Sequence, residues 1–198
     1  MARKKSAAAH KKVLEAAMRL FAGRGIDNTT MDAIAEESGV SKATIYKHWR
    51  DKDDLFLDTL SYLHGADEPP PDFDSGDFRA DLIAQLNYQP AQHRREMIER
   101  IMPHLIAYSA RDRVFAEHWK ARILERPRYQ MREMLLRGIK RKQLVKTLDP
   151  EIGIALLIGP MFYRRVFENR FGYKLPSDLS IHVVNAFLAA YGVPMRKH

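Results

Sequence analysis

Residues 39–49 read GVSKATIYKHW, a glycine and a hydroxyl followed by a short segment that carries Lys, Tyr and Lys on one side. Ala35, Gly39 and Ile45 have the spacing of a helix-turn-helix: a small residue where two helices touch, a glycine four positions on for a left-handed turn, and an apolar anchor six further. Ser41 is placed to cap the second helix of the pair, over residues 42–49, in which Ile45 and Trp49 point inward against Val40. Lys42, Ala43, Tyr46 and Lys47 then share the outward face, with Thr44 and His48 at its borders. Such a face suits a DNA groove: the lysines reach phosphates or guanine edges, Ala43 allows close approach, and Tyr46 offers a ring and a hydroxyl. An ordinary helical hairpin with a solvated basic face has the same pattern, so the neighbouring residues must decide.

Upstream, Val13, Leu14, Ala17, Met18, Leu20 and Phe21 repeat with helical spacing up to Gly25. Thr29 or Thr30 then caps a helix whose inner stripe is Met31, Ile34 and Ala35, with Asp32 in the first turn, where the helix dipole favours an anion. Downstream, Asp51 caps a fourth helix over 52–64. GADEPPPDFDSGD at 65–77 is too rich in Pro, Gly and Asp to continue it and reads as a linker. Helices are predicted near 78–89, 92–109, 111–124, 127–142, 150–168 and 178–191, broken at Pro90, Ser109, Pro127 and the Leu148–Pro150 turn, with Pro103 bending the second. Asp149 caps and Pro150 opens the fifth of these. No strand-like alternation and no internal repeat is visible, so the expected fold is all-α.

Charge is unevenly spread. Residues 1–52 carry 11 Lys and Arg against 6 Asp and Glu, residues 53–109 carry 4 against 11, and residues 110–198 carry 18 against 8. A basic start before an acidic segment suits an anionic partner for the first fifty residues. There is no cysteine, which excludes disulfides and thiolate zinc sites and fits a reducing compartment, so a cytoplasmic location is expected. Glu15 and Arg19 interrupt what a signal peptide would need as an apolar stretch. The longest apolar run, GIALLIGPMFY at 153–163, is far short of the roughly 20 residues of a membrane-spanning helix. No P-loop, GxSxG, HExxH or dinucleotide-binding glycine turn is present, and the histidines show no i, i+4 pairing, so no catalysis, cofactor or metal is expected.

The stretch VLEAAMRLFAGRGIDNTTMDAIAEESGVSKATIYKHWRDKDDLF at 13–56 resembles the DNA-binding region of the TetR family of bacterial regulators, with Trp49 where many members have Phe. The resemblance implies a cytoplasmic homodimer whose third helices enter successive major grooves of a pseudo-palindromic operator on double-stranded DNA. By position, Thr30, Ser41, Lys42, Ala43, Thr44, Tyr46, Lys47, His48 and Lys52 would make the contacts. Lys42, Lys52 and the hydroxyls are assigned to phosphates, and Ala43, Thr44 and Tyr46 to base edges. The arm with Arg3, Lys4, Lys5, Lys11 and Lys12 would add phosphate or minor-groove contacts, or stand by as a charged tail. Residues 1–52 form the expected DNA-binding domain, 52–64 the connecting helix, 65–77 the linker, and 78–198 a larger helical domain for ligand binding and dimerisation.

WKARILERPRYQMREMLLRGIKRKQL at 119–144 and LDPEIGIALLIGPMFYRRVF at 148–167 resemble the ligand-binding region of one branch of the same family. Helix 150–168 is apolar nearly all round, and 178–191 carries a stripe of Val183, Val184, Phe187, Leu188 and Tyr191. Either these two helices meet their twins in a dimer or both simply close the monomer's core. An unidentified small-molecule effector would lie among the middle helices, against Leu105, Tyr108, Phe115, Trp119, Met131, Met134, Leu135, Tyr163 and Phe167, with His104, Arg111, His118 and Arg122 as polar anchors. The function expected is a ligand-released repressor. The alternative is a ligand-independent, architectural DNA-binding protein whose larger region only dimerises.

Overall fold

The computed structural model describes residues 2–65, 68, 71–88, 92–168 and 171–194. Among them the regular structure is helical. An isolated bridge of Leu144 with Gly192 ties the turn after residue 140 to the end of the last helix. The helices are α1 (Ala2–Arg24), α2 (Met31–Ser38), α3 (Lys42–Tyr46), α4 (Lys52–His64), α5 (Phe78–Asn87), α6 (Gln92–Arg111), α7 (Arg113–Trp119), α8 (Glu125–Lys140), α9 (Pro150–Tyr163) and α10 (Leu179–Tyr191). They pack as two compact units, one of Met1–Pro69 with Gln89–Leu124 and one of Pro70–Tyr88 with Glu125–His198.

Local chemistry explains most boundaries. Thr30, not Thr29, caps α2: its hydroxyl accepts from the Ala33 amide, whereas buried Thr29 donates to the Gly25 carbonyl at 2.7 Å. Gly39 ends α2 at φ 66°, a left-handed conformation that suits glycine best. Asp51, Asp77, Asp112 and Asp149 cap α4, α5, α7 and α9 in the same way, each carboxylate accepting from an amide of the first turn. Asp149 is followed by Pro150 at the first helical position, where no amide donor is needed.

Four expectations are corrected. The basic amino-terminal arm is not separate, because α1 already begins at Ala2. The third helix stops at Tyr46 instead of Trp49, the chain tightening as His48 donates to the Ile45 carbonyl at 2.9 Å. Ser109 ends nothing, and α6 runs to Arg111 with Pro103 inside it. Nor does Pro127 break its helix: α7 passes into α8 through a π-helical turn, Lys120–Leu124. A second π turn, Arg164–Glu168, continues α9 beyond Pro160. Pro127 lacks the amide that an α-helix would use and crowds the Ile123 carbonyl four residues back, which lies within the wider first turn.

In the first unit, α1 packs on α2, α4 and α6, and α4 also meets α6, α7 and the first π turn. Its centre is fully buried Phe21, Phe56, Phe115, Ile34, Leu60 and Leu105. Phe56 stands with its ring centre 4.6 Å from Phe21 and 5.5 Å from Phe115. The unit also takes in residues 89–124, which the sequence places beyond the linker. In the second unit α5, α8, α9 and α10 bury Leu82, Leu135, Ile154, Leu157, Val184 and Phe187. The segment before α5 is tied to this unit, with Asp74 paired to Arg141 at 2.5 Å and Asp81 accepting from the Ser75 amide and hydroxyl.

Phe56→Ala should lower the unfolding free energy by about 3–5 kcal/mol, because it removes a ring that three helices share and leaves a cavity. A urea titration followed by circular dichroism checks it.

Candidate nucleic-acid interface

The five residues of α3 cannot hold a helix alone, so their orientation comes from what they bury. Ser41 begins the helix by accepting from the Thr44 amide, and its hydroxyl lies 2.9 Å from that of Thr44. Ile45 is buried, and Trp49, just past the helix, is 3% exposed. The opposite side is open: Ser41, Lys42, Ala43, Lys47 and His48 are exposed, Thr44 is half-buried, and Tyr46 is 52% exposed. Thr30, exposed at the start of α2, presents its hydroxyl beside Asp32, whose carboxylate reaches the Lys42 ammonium at 2.6 Å. Thus Thr30, Ser41, Lys42, Ala43, Tyr46, Lys47 and His48 lie in the open, with Thr44 at their edge.

Lys52 differs from the rest. It is half-buried, and its ammonium donates to the Ile26 carbonyl at 2.6 Å, tying α4 to the turn after α1. That bond uses one of its three N–H donors.

Sequence reading missed the support behind α3, which converges on Asp58 of α4. Its carboxylate accepts from the Trp49 indole N–H at 3.0 Å and from the Arg122 guanidinium at 2.6 Å. The His10 Nε2 atom lies 3.2 Å away, and the His10 ring stacks on Trp49 with centres 4.6 Å apart. One carboxylate therefore binds the segment after α3, the first helix and the first π turn. No spacing in the sequence announces such a meeting of residues 10, 49, 58 and 122.

The nine residues expected around an effector do not share one unit. Leu105, Tyr108, Phe115 and Trp119 belong to the first, and Met131, Met134, Leu135, Tyr163 and Phe167 to the second. Leu105, Phe115, Met131, Met134 and Leu135 are buried in their cores, while the Trp119 indole N–H is buried without an acceptor. Tyr163 is exposed and meets Phe167 with centres 4.9 Å apart. Of the polar anchors, Arg111 pairs with Asp27 and Arg122 with Asp58.

A cleft of about 480 Å³ opens in the first unit between α4 and α7, lined by Asp53, Leu57, Asp112, Phe115, His118 and Arg122 among others. Along α4, Tyr108 donates to Asp53 at 2.9 Å. Burial, then this bond and the Asp53 charge, push the Tyr108 phenol up to about 12. Burial also raises the Asp53 carboxyl, against the lowering effect of the Tyr108 bond. Among the described residues no group of three or more His, Cys, Asp or Glu is arranged to hold a metal, and no helix is long and apolar enough to cross a membrane.

Comparison with known proteins agrees across both regions. Residues 13–59 match the family model for bacterial regulatory proteins of the tetR family, and residues 72–186 match the model for a tetracyclin repressor-like C-terminal domain. A curated relative, the uncharacterized HTH-type transcriptional regulator YdeS of Bacillus subtilis (strain 168), is 35% identical over 155 residues, which cover 78% of this chain and 77% of that one. The solved TetR family transcription regulator SCO0332 is 26% identical, with 91% of this chain and 97% of that chain covered and a TM-score of 0.62. The fold is also that of SmeT in complex with triclosan, at 20% identity, 95% and 93% coverage and a TM-score of 0.69.

Two outcomes are expected. Tyr46→Ala should abolish preference for a selected duplex and leave weak, salt-sensitive binding, read by fluorescence anisotropy on selected and scrambled duplexes. The raised Tyr108 value means that its stabilising share is complete below the ordinary phenol value of 10.0 and is lost as pH climbs towards about 12. Asp53→Asn removes the charge that helps hold the proton, so tyrosinate absorbance, measured against Tyr108→Phe, should show Tyr108 ionising at lower pH.

Proposed function

We propose, because this chain belongs to the TetR family and is a helix-turn-helix transcriptional regulator and not an enzyme, that it is a homodimeric repressor released from its operator by a small molecule. The observation that carries the DNA-reading part is the split of α3 and the residues just after it, with Ile45 and Trp49 buried while Lys42, Ala43, Tyr46 and Lys47 face solvent. Lys42, Lys47, Thr30, Ser41 and Lys52 hold phosphates, and Ala43, Thr44 and Tyr46 meet base edges, with His48 at the border. Residues 1–52 form the reading domain, α4 connects, and residues 78–198 dimerise and sense ligand.

The dimer reading is supported by apolar side chains that α9 and α10 leave in the open. Ile152, Leu156 and Phe162 of α9 and Ile181 of α10 are all exposed. Water-exposed apolar surface of this kind calls for a covering partner, and a second copy supplies the second α3 that an operator of two half-sites needs.

Release requires an effector that binds the free form better than the DNA-bound form. The cleft between α4 and α7 is where such a molecule acts most directly, since α4 carries Asp58 and through it the Trp49 anchor. Wedging α7 from α4 strains the Arg122–Asp58 pair and shifts α4 beneath the reading segment.

Analytical ultracentrifugation and anisotropy on a duplex selected by the wild-type protein test the reading. Leu156→Glu should give a monomer whose affinity for that duplex falls at least tenfold, since each half-site must then be bound alone. A monomeric wild type, or a monomeric variant with unchanged affinity, overturns the dimer. A thermal-shift screen tests release: compounds that raise the melting temperature should weaken duplex binding, and if none does, the ligand-independent architectural reading stands instead.

A further inference from the structure

Asp32 puts a charge of the wrong sign for DNA on the open face around α3. Asp32, at the second position of α2, is 67% exposed, and its Oδ2 atom lies 2.6 Å from the Nζ atom of Lys42, itself 54% exposed. A pair as open as this contributes little to folding, so its meaning lies in what it does to an approaching duplex. The carboxylate stands where a phosphate oxygen would, on a lysine that the reading above gives to the DNA backbone.

We infer, resting on that reading of α3, that Asp32 is a specificity residue: it withholds Lys42 from arbitrary phosphates and yields it at an operator whose base edge offers the carboxylate an amino donor, cytosine N4 foremost. Binding to arbitrary duplex draws nearly all its free energy from phosphate contacts and the counterions they release. There Asp32 removes one cation from the count and adds a repelling charge. In the major groove, cytosine presents an N4 amino donor that Asp or Glu accepts and adenine an N6 amino donor beside its N7 acceptor, whereas guanine presents only acceptors and thymine an acceptor beside a methyl. At the right base the carboxylate exchanges the lysine for a donor; at the wrong one it is desolvated against acceptors. Asp32 thus separates operator from bulk DNA mainly by what it rejects.

The test uses wild type, Asp32→Asn and Asp32→Ser, a duplex selected by the wild-type protein from a random library, and a scrambled duplex of the same composition. Both variants should bind the scrambled duplex about 3- to 10-fold more tightly, with the salt slope steeper by about 0.9 as Lys42 joins the phosphate contacts. On the selected duplex both variants should gain nothing and bind up to about tenfold more weakly, because the cytosine contact is lost, so the ratio of the two affinities falls. Repeating the selection with Asp32→Asn should erase a cytosine preference at one position in each half-site. Equal changes on both duplexes, an unaltered scrambled-duplex affinity, or a parallel loss of binding and melting temperature in both variants overturns the inference, the last making Asp32 a helix-stabilising residue. A wild-type protein that retains neither duplex at low salt defeats the DNA-reading proposal itself, a result separate from these.

Discussion

Everything the reading face does depends on the burial of Ile45 and Trp49. A helix of five residues has too few internal hydrogen bonds to persist in water, so α3 exists because its inner side is held. Ile45 and Trp49 set the rotation of the helix about its own axis, and that rotation alone decides that Tyr46 and Lys47 face outward. The indole N–H completes the hold by donating to Asp58, which prevents a buried donor from going unsatisfied. Ser41 and Gly39 fix the two ends of the turn that leads in.

Asp58 extends that hold in two further directions. An isolated carboxylate so close to a buried indole would be a burden, yet here it is shared with Arg122 and approached by His10. The same group that steadies α3 is thus tied to the π turn that follows α7. A regulator needs its reading element to be firm but not immovable, and a partly exposed ion pair is a weaker tie than core packing. Phe56, packed between Phe21 and Phe115, supplies the rigid part of the same region.

Much of this fold was legible because the decisive signals are local. Thr30, Gly39, Ser41, Asp51, Asp149 and Pro150 act on residues within three or four positions, so their caps and turns follow from the sequence. The outward set on α3 follows from periodicity once Ile45 is taken as the anchor. What escaped was non-local or degenerate. The Lys52 ammonium binds a carbonyl 26 residues away, and the Asp58 cluster unites residues 48 positions apart, from His10 to Asp58, and 64 apart, from Asp58 to Arg122. Pro127 carries a local rule that predicts a break, and a π turn absorbs the conflict instead. Met131, Met134 and Leu135 suit a ligand wall by residue type, but methionine and leucine at helical spacing serve equally as core, and here they lie in one.

The environment of Trp49 has a practical corollary. The chain has only two tryptophans, and this one sits with its indole stacked on an imidazole and bonded to a carboxylate directly behind the reading segment. Its emission is sensitive to both neighbours, so with Trp119 replaced by phenylalanine the molecule carries its own optical gauge of whether α3 is seated. Displacement of the segment can then be followed in solution without attaching a dye.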